Sequence, residues 1–323
     1  MPISIEVIEE DALKIQADVL ILKYAQANYG VDKLVSDRLS KLQPNLFNSL
    51  PSAGNFLLIN TCGSLGTEEV LFVGVEPLYD FRYQKIRDFA HRALLYLSHN
   101  SPSIETVCFT IHGAGYGLDI NEAFQSEIAG IIDSLSKNEF PRNLKQIIIV
   151  EQNKILKNRL SEILEELFPQ GVIKINEGDF SNVNSLFPYR LKNVGYQSEK
   201  KPLVFVAMPF DKNMYDVFYY GIKGAVNKAG YLCERADEAF FSGEIIDWVK
   251  KRIVQADIVL ADLTHANPNV YLEVGFSWGN NKQTILIAQD PNELRFNVRG
   301  QKCLIYKSIK QLEDLLRHEF EKI

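Results

Sequence analysis

The chain has 323 residues, too long for one ordinary domain and comfortable for two, and its 46% hydrophobic and 24% charged content excludes disordered, collagen-like and coiled-coil classes. With 35 Lys and Arg against 41 Asp and Glu the net charge is −6, which argues against a broad nucleic-acid surface. The four cysteines are scattered without a C-x-x-C or Cys/His cluster, no apolar run reaches ~18 residues, and the N-terminus lacks a signal-peptide layout; the expectation is a soluble cytoplasmic protein with no metal site and no membrane or nucleic-acid partner.

Residues 17–22, 55–60, 69–75, 106–111 and 146–150 read as strands. Continuous apolar, β-branched runs of this kind suit a sheet covered on both faces. Between them, Ile86, Phe89, Ala90, Ala93, Leu94 and Leu97 fall on one helical stripe over 83–98, and 121–136 and 154–168 repeat the pattern. This alternation predicts an α/β domain over residues 1–190.

Gly113, Gly115 and Gly117 lie between the strand at 106–111 and the helix from 121. Alternate glycines expose backbone N–H groups that can cradle an anion at a helix start, although a tight strand-to-helix turn explains them equally well. The spacing matches neither a Rossmann fingerprint nor a P-loop. Together with Ala17-Asp18-Val19-Leu20, the loop resembles macro domains, in particular the macro-like N-terminal domain of leucine aminopeptidases. That resemblance implies an α/β/α fold in which Asp18 contacts adenine and Gly113, Gly115 and Gly117 hold the phosphates of a nucleotide. The aminopeptidase relatives often keep the fold without the ligand, and no aminopeptidase metal signature is present.

Periodicity stops between 187 and 201, where the domain junction is expected. A second domain, 202–323, then alternates strands at 203–207, 231–235, 256–263, 284–288 and 304–306 with helices at 213–229, 242–255, 267–280 and 309–323. Ser242 is the expected N-cap of the second of these helices. This is a doubly wound order.

The strand at 256–263 delivers Asp262 at its carboxyl end, the edge where open α/β sheets bind ligands. Asn267-Pro268 then starts a helix. Asn269, Glu273 and Ser277 share one face of it, and Val270, Val274 and Trp278 form the apolar face expected on the sheet. By spacing alone, Glu273 is also readable as a solvated carboxylate, and Asp262 and Asn267 as caps.

The stretches Val204–Phe210 (VFVAMPF), Glu234-Arg235-Ala236-Asp237, and ADLT followed by NPNVYLEVG over 261–275 together resemble nucleoside 2-deoxyribosyltransferase-like domains, which are related in topology to bacterial TIR domains. The resemblance implies a flavodoxin-like sheet and cleavage of an N-glycosidic bond. It carries the catalytic glutamate to Glu273 and an aspartate near the base or sugar to Asp262. Substrate-binding positions fall on Met208, Pro209, Phe210, Asp237, Asn267 and Asn269. Asp237 is open between proton donor, ribose ligand and a loop carboxylate paired with Arg235. An ordinary Glu, with a pKa of about 4.3, is ionised at neutral pH and able to stabilise an oxocarbenium-like centre. Arg295 and Arg299 follow the strand at 284–288 and are read either as phosphate ligands or as surface arginines. His265 is read as a hydrogen-bond donor to a leaving base or as a loop residue. The segment 265–269 replaces the D-S-G-T-like stretch of true deoxyribosyltransferases, which weakens the case for deoxynucleoside exchange.

The expectation is an N-glycosidase-type effector cleaving NAD or a related nucleotide or nucleoside, regulated by the macro-like domain, as in anti-phage sensor–effector fusions. NAD enters as a substrate, no cofactor is expected, and a homo-oligomer through residues 202–323 is. Two alternatives stay open: a non-catalytic nucleotide-binding signalling protein, and a housekeeping nucleoside or nucleotide hydrolase.

Overall fold

The computed structural model describes residues 2–78, 80–113, 116–174, 189–209, 211–235 and 245–323. It divides into two α/β units, Met1–Ala114 with Ile120–Ser198, and Gly115–Asp119 with Glu199–Ile323.

The first unit contains β1 (Pro2–Glu9), β2 (Val19–Tyr24), α1 (Gly30–Leu39), α2 (Leu46–Ser49), β3 (Phe56–Asn60), β4 (Glu69–Gly74), α3 (Tyr83–Asn100), β5 (Thr106–Thr110), α4 (Ile120–Ser136), β6 (Gln146–Glu151), α5 (Lys154–Leu167) and β7 (Val172–Lys174). Its sheet runs β3-β4-β2-β5-β6-β1-β7, parallel except where β3 meets β4 and β7 meets β1. β1 is absent from the expected strands, yet Ile3, Ile5 and Val7 point alternately inward, the period-two signature of a half-buried strand. α3 and α4 pack closely: a Cβ on Gly130 would stand 2.1 Å from the Arg87 carbonyl oxygen.

The expected limit at residue 190 falls short of the observed packing, because 189–198 belong to the first unit. Buried Arg87 explains this. It forks onto Asp133 (Nε–Oδ2 2.6 Å, Nη2–Oδ1 2.8 Å), donates to the carbonyls of Leu191 and Val194, and stacks on Tyr196. Ser198 Oγ closes the segment onto Glu122 at 2.5 Å. Polar sequence here is docked by hydrogen bonds, so no apolar period marks it.

The second unit contains β8 (Leu203–Ala207), α6 (Lys223–Lys228), β9 (Leu232–Arg235), α7 (Ile245–Gln255), β10 (Ile258–Asp262), α8 (Pro268–Gly279), β11 (Gln283–Ala288), β12 (Cys303–Ile305) and α9 (Ile309–Phe320). Its sheet runs β12-β11-β10-β8-β9, all parallel. Counted from β8 this is the flavodoxin-like order 2-1-3-4-5, as expected. The helix expected at 213–229 breaks into a 3₁₀ turn, a π-helical stretch at Val217–Ile222, and α6. Ser242 lies outside the described residues.

Residues 116–119 precede α4 but pack in the second unit, against the expectation that the glycine loop is wholly N-terminal. Asp119, 1% exposed, accepts from the Cys233 N–H and from Asn227 Nδ2, both at 2.7 Å. The Arg235 N–H donates to the Gly117 carbonyl at 3.2 Å. Among the described residues no helix is long and apolar enough to cross a membrane, and no group of three or more His, Cys, Asp or Glu is placed to hold a metal ion.

Candidate functional site

The strand order of the second unit reverses between β8 and β10, whose carboxyl ends adjoin through the Ala207–Ala261 pair. Open α/β sheets take ligands at such a switch point. Met208 and Pro209 leave β8 buried, and Arg235 Nη1 reaches Met208 Sδ at 3.6 Å. The Arg235 guanidinium also lies over the Phe218 ring at 4.0 Å. Phe210 and Asp237 lie outside the described residues.

Asp262 ends β10 and is 0% exposed. Its Oδ1 accepts from the Thr264 N–H (3.0 Å) and the Thr264 hydroxyl (2.5 Å), and its Oδ2 accepts from the Tyr306 hydroxyl (2.8 Å). Gln289 joins the same network, through its N–H to Thr264 Oγ1 and its Nε2 to Tyr306 Oη. Burial raises the Asp262 pKa, and the Thr264 and Tyr306 hydrogen bonds oppose the rise. The resemblance expects Asp262 near the base or sugar; in the structure its carboxylate is covered by Thr264 and Tyr306, to which both its oxygens are bonded.

Beyond Thr264 the backbone turns left-handed at two successive non-glycine residues, His265 (φ 62°) and Ala266 (φ 47°). Such conformations cost on the order of 1–3 kcal/mol each and concentrate at functional sites. Asn267 then caps α8 as expected, accepting from the Asn269 N–H at 2.9 Å, with Pro268 in the first turn. Asn269 is exposed.

Glu273 lies five residues into α8, roughly 7–8 Å along the axis at 1.5 Å per residue. It is half-buried and has no hydrogen-bond or ion-pair partner among the described residues. Burial alone pushes its pKa from 4.5 to about 7. A carboxylate ionised well below neutrality, as expected from its ordinary value, is thus corrected to one poised at neutrality. The apolar face of α8 is also corrected. Val270, Val274 and Ser277 are buried, Ser277 by a 2.7 Å hydrogen bond to Thr284 Oγ1, whereas Trp278 is 36% exposed.

A cavity of about 360 Å³ opens where β10, β11 and β12 end, lined by Thr264, His265, Gln289, Tyr306, Lys307 and Ser308 among others. Glu273 does not line it. Gln289, Tyr306, Lys307 and Ser308 were not singled out by the sequence reading. Each follows a strand or starts a helix on the ligand-binding edge, and that position is the signal that marks them. Arg295 is exposed at this edge, its backbone N–H bonded to Tyr271 Oη at 3.0 Å.

In the first unit, Asp18 and the glycine loop do not meet. Asp18 precedes β2 and accepts the N–H groups of Glu105 (2.7 Å) and Thr106 (2.9 Å) at the start of β5. Gly113 follows the far end of β5, which runs parallel to β2 from the Val19–Val107 pair. The two stand at opposite sheet edges and cannot frame one crevice. Gly115 lies outside the described residues, and Gly117 has no room for a side chain: a Cβ would meet Trp248 at 2.4 Å.

The fold and site define a protein of two α/β units, the second with a flavodoxin-like sheet and a polar cavity at its carboxyl edge. No family model matches the chain, and no curated protein matches it. Among solved structures it is similar to a Clostridium botulinum CMP N-glycosidase, at 18% identity over 36% of this chain and 98% of that one, with a TM-score of 0.32. It is similar also to an Oceanobacillus iheyensis macrodomain (17% identity, 50% of this chain and 90% of that one, TM-score 0.39). A Trypanosoma brucei macrodomain in complex with ADP gives 16% identity over 50% and 68%, with a TM-score of 0.39. These are distant likenesses of fold.

Proposed function

We propose that the second unit cleaves the N-glycosidic bond of a nucleoside or nucleotide, NAD included, with Glu273 as the carboxylate that stabilises or captures the sugar cation. The observation that carries this reading is a half-buried glutamate without a partner among the described residues, on the helix that follows the switch-point strand β10, with a pKa brought to about 7 by burial. Strongly perturbed carboxylates in such positions are functional-site candidates. The deoxyribosyltransferase-like and TIR-like assignment belongs to this proposal. So does control by a macro-like first unit that takes a nucleotide near Gly113, without Asp18, and a place in antiviral defence.

The test is incubation with NAD and a nucleoside panel, read by chromatography. Glu273→Gln removes the charge and keeps the shape, so base release falls at least ~100-fold, about 2.7 kcal/mol of transition-state stabilisation. Full turnover in a folded Glu273→Gln protein ends the proposal.

A homo-oligomer through the second unit is part of the same reading. Leu272 on α8 is 66% exposed, Gly275 and Gly279 open onto empty space, and Glu273 is the only charged residue of that helix. Such an apolar outer face suits contact with a second copy. Light scattering is expected to give a dimer or larger; a monomer that is active at nanomolar concentration removes this part.

A further inference from the structure

The cavity at the ends of β10, β11 and β12 has chemistry of its own, apart from Glu273. Its volume of about 360 Å³ lies within the range of small-molecule sites. Val217 and Ile309 give it apolar lining, and Asp290, Glu293, Gln289 and Ser308 give it polar groups. Asp290 Oδ1 accepts from the backbone N–H and the Nδ2 of Asn292, both at 2.9 Å. Glu293 Oε2 accepts from the His265 N–H at 3.0 Å. Asp290 Oδ2 and Glu293 Oε1 have no partner among the described residues, and neither carboxylate has a cation beside it there. Lys307, the lining ammonium, is bonded to the Gln289 carbonyl at 2.7 Å.

Two free carboxylate oxygens accept from two adjacent hydroxyls, the pattern of a vicinal diol. An apolar wall suits the C–H face of a small ring. The lining carries two carboxylates against one ammonium, so it repels a phosphate. Beneath lies the Thr264–Asp262–Tyr306–Gln289 network, whose satisfied hydrogen bonds hold the floor in one arrangement.

We propose that this cavity binds a ribofuranose ring through its cis-diol, in unphosphorylated form, using Asp290 and Glu293. Free ribose and the ribosyl group of a nucleoside share this chemistry. The inference does not depend on catalysis at Glu273.

Full-length protein carrying Glu273→Gln, so that turnover does not consume the probe, is titrated calorimetrically with D-ribose, adenosine, 2′-deoxyadenosine and AMP. The binding lost when Asp290→Asn and Glu293→Gln are added reports this cavity rather than the site at Glu273. That component is expected to saturate with adenosine, to be at least about ten-fold weaker with 2′-deoxyadenosine, the scale of one lost hydrogen bond, and to be as weak with AMP because its phosphate meets two carboxylates. Saturation by ribose as well assigns the sugar alone; saturation by adenosine only assigns the nucleoside. Adding Asp290→Asn with Glu293→Gln is expected to weaken adenosine about ten-fold or more. Absence of saturable heat with both ribose and adenosine overturns the proposal. So does AMP binding as tightly as adenosine, or unchanged affinity in the Asp290→Asn, Glu293→Gln protein.

Discussion

Glu273 titrates where it matters. Its folded pKa of about 7 lies above its ordinary value of 4.5, so between these pH values the folded chain holds a proton that the unfolded chain has released. Its contribution to stability is therefore fully present below about pH 4.5 and is lost as pH rises through about 7. At 1.36 kcal/mol per unit the loss is at most about 3.5 kcal/mol. Glu273→Gln does not titrate. Its melting temperature relative to the parent is expected to rise between pH 5 and pH 8.5, and a constant difference counts against the shift. Ionised Glu273 is the form that stabilises a sugar cation, so kcat/KM is expected to climb with pH to a plateau with a midpoint near 7. A flat profile from pH 5.5 to 8.5 contradicts that role. Asp262 and Glu273 were legible as residues, from a carboxylate at a strand end and another about a turn and a half into the following helix. Their surroundings were not. Nothing in the spacing shows that Asp262 is covered by a tyrosine 44 positions later.

Helices with a full apolar stripe were legible because burial repeats every three to four residues, as on α3 and α4. α8 was misread by one position because Val270 and Val274 are compatible with either Ser277 or Trp278 on the inner face. The hydrogen bond from Ser277 to Thr284 decides between them. β7, three residues long, is too short to show a period and was missed, whereas β12, equally short, was placed to within a residue at 304–306. Gly130 in α4 gives a test in which packing opposes propensity. Alanine is the better helix former by about 1 kcal/mol. Yet its Cβ would meet the Arg87 carbonyl of α3 at 2.1 Å, where only backbone movement can relieve the clash. Gly130→Ala is expected to destabilise by about 1–3 kcal/mol on chemical denaturation. A gain in stability would show that α3 and α4 separate freely.

The division into two units was visible in outline, since strand–helix alternation pauses before residue 202. Its true edge was hidden because 189–198 are held by polar contacts that radiate from Arg87. Lysine keeps the charge but cannot fork between Asp133 and the carbonyls. Arg87→Lys is expected to cost about 1–3 kcal/mol and to speed hydrogen exchange across 190–198 by ten-fold or more. Unchanged exchange there would show that Tyr196 and Ser198 suffice. The short stretch 116–119 has a different bearing, on dissection. Asp119 comes from the first half of the sequence and satisfies donors at Asn227 and Cys233. A fragment beginning at residue 199 would lack Asp119, so the Cys233 N–H would lose that acceptor and Asn227 Nδ2 would keep the Tyr231 carbonyl. No single cut of the chain therefore yields the second unit whole, since it draws on 116–119 as well as on the sequence from Glu199.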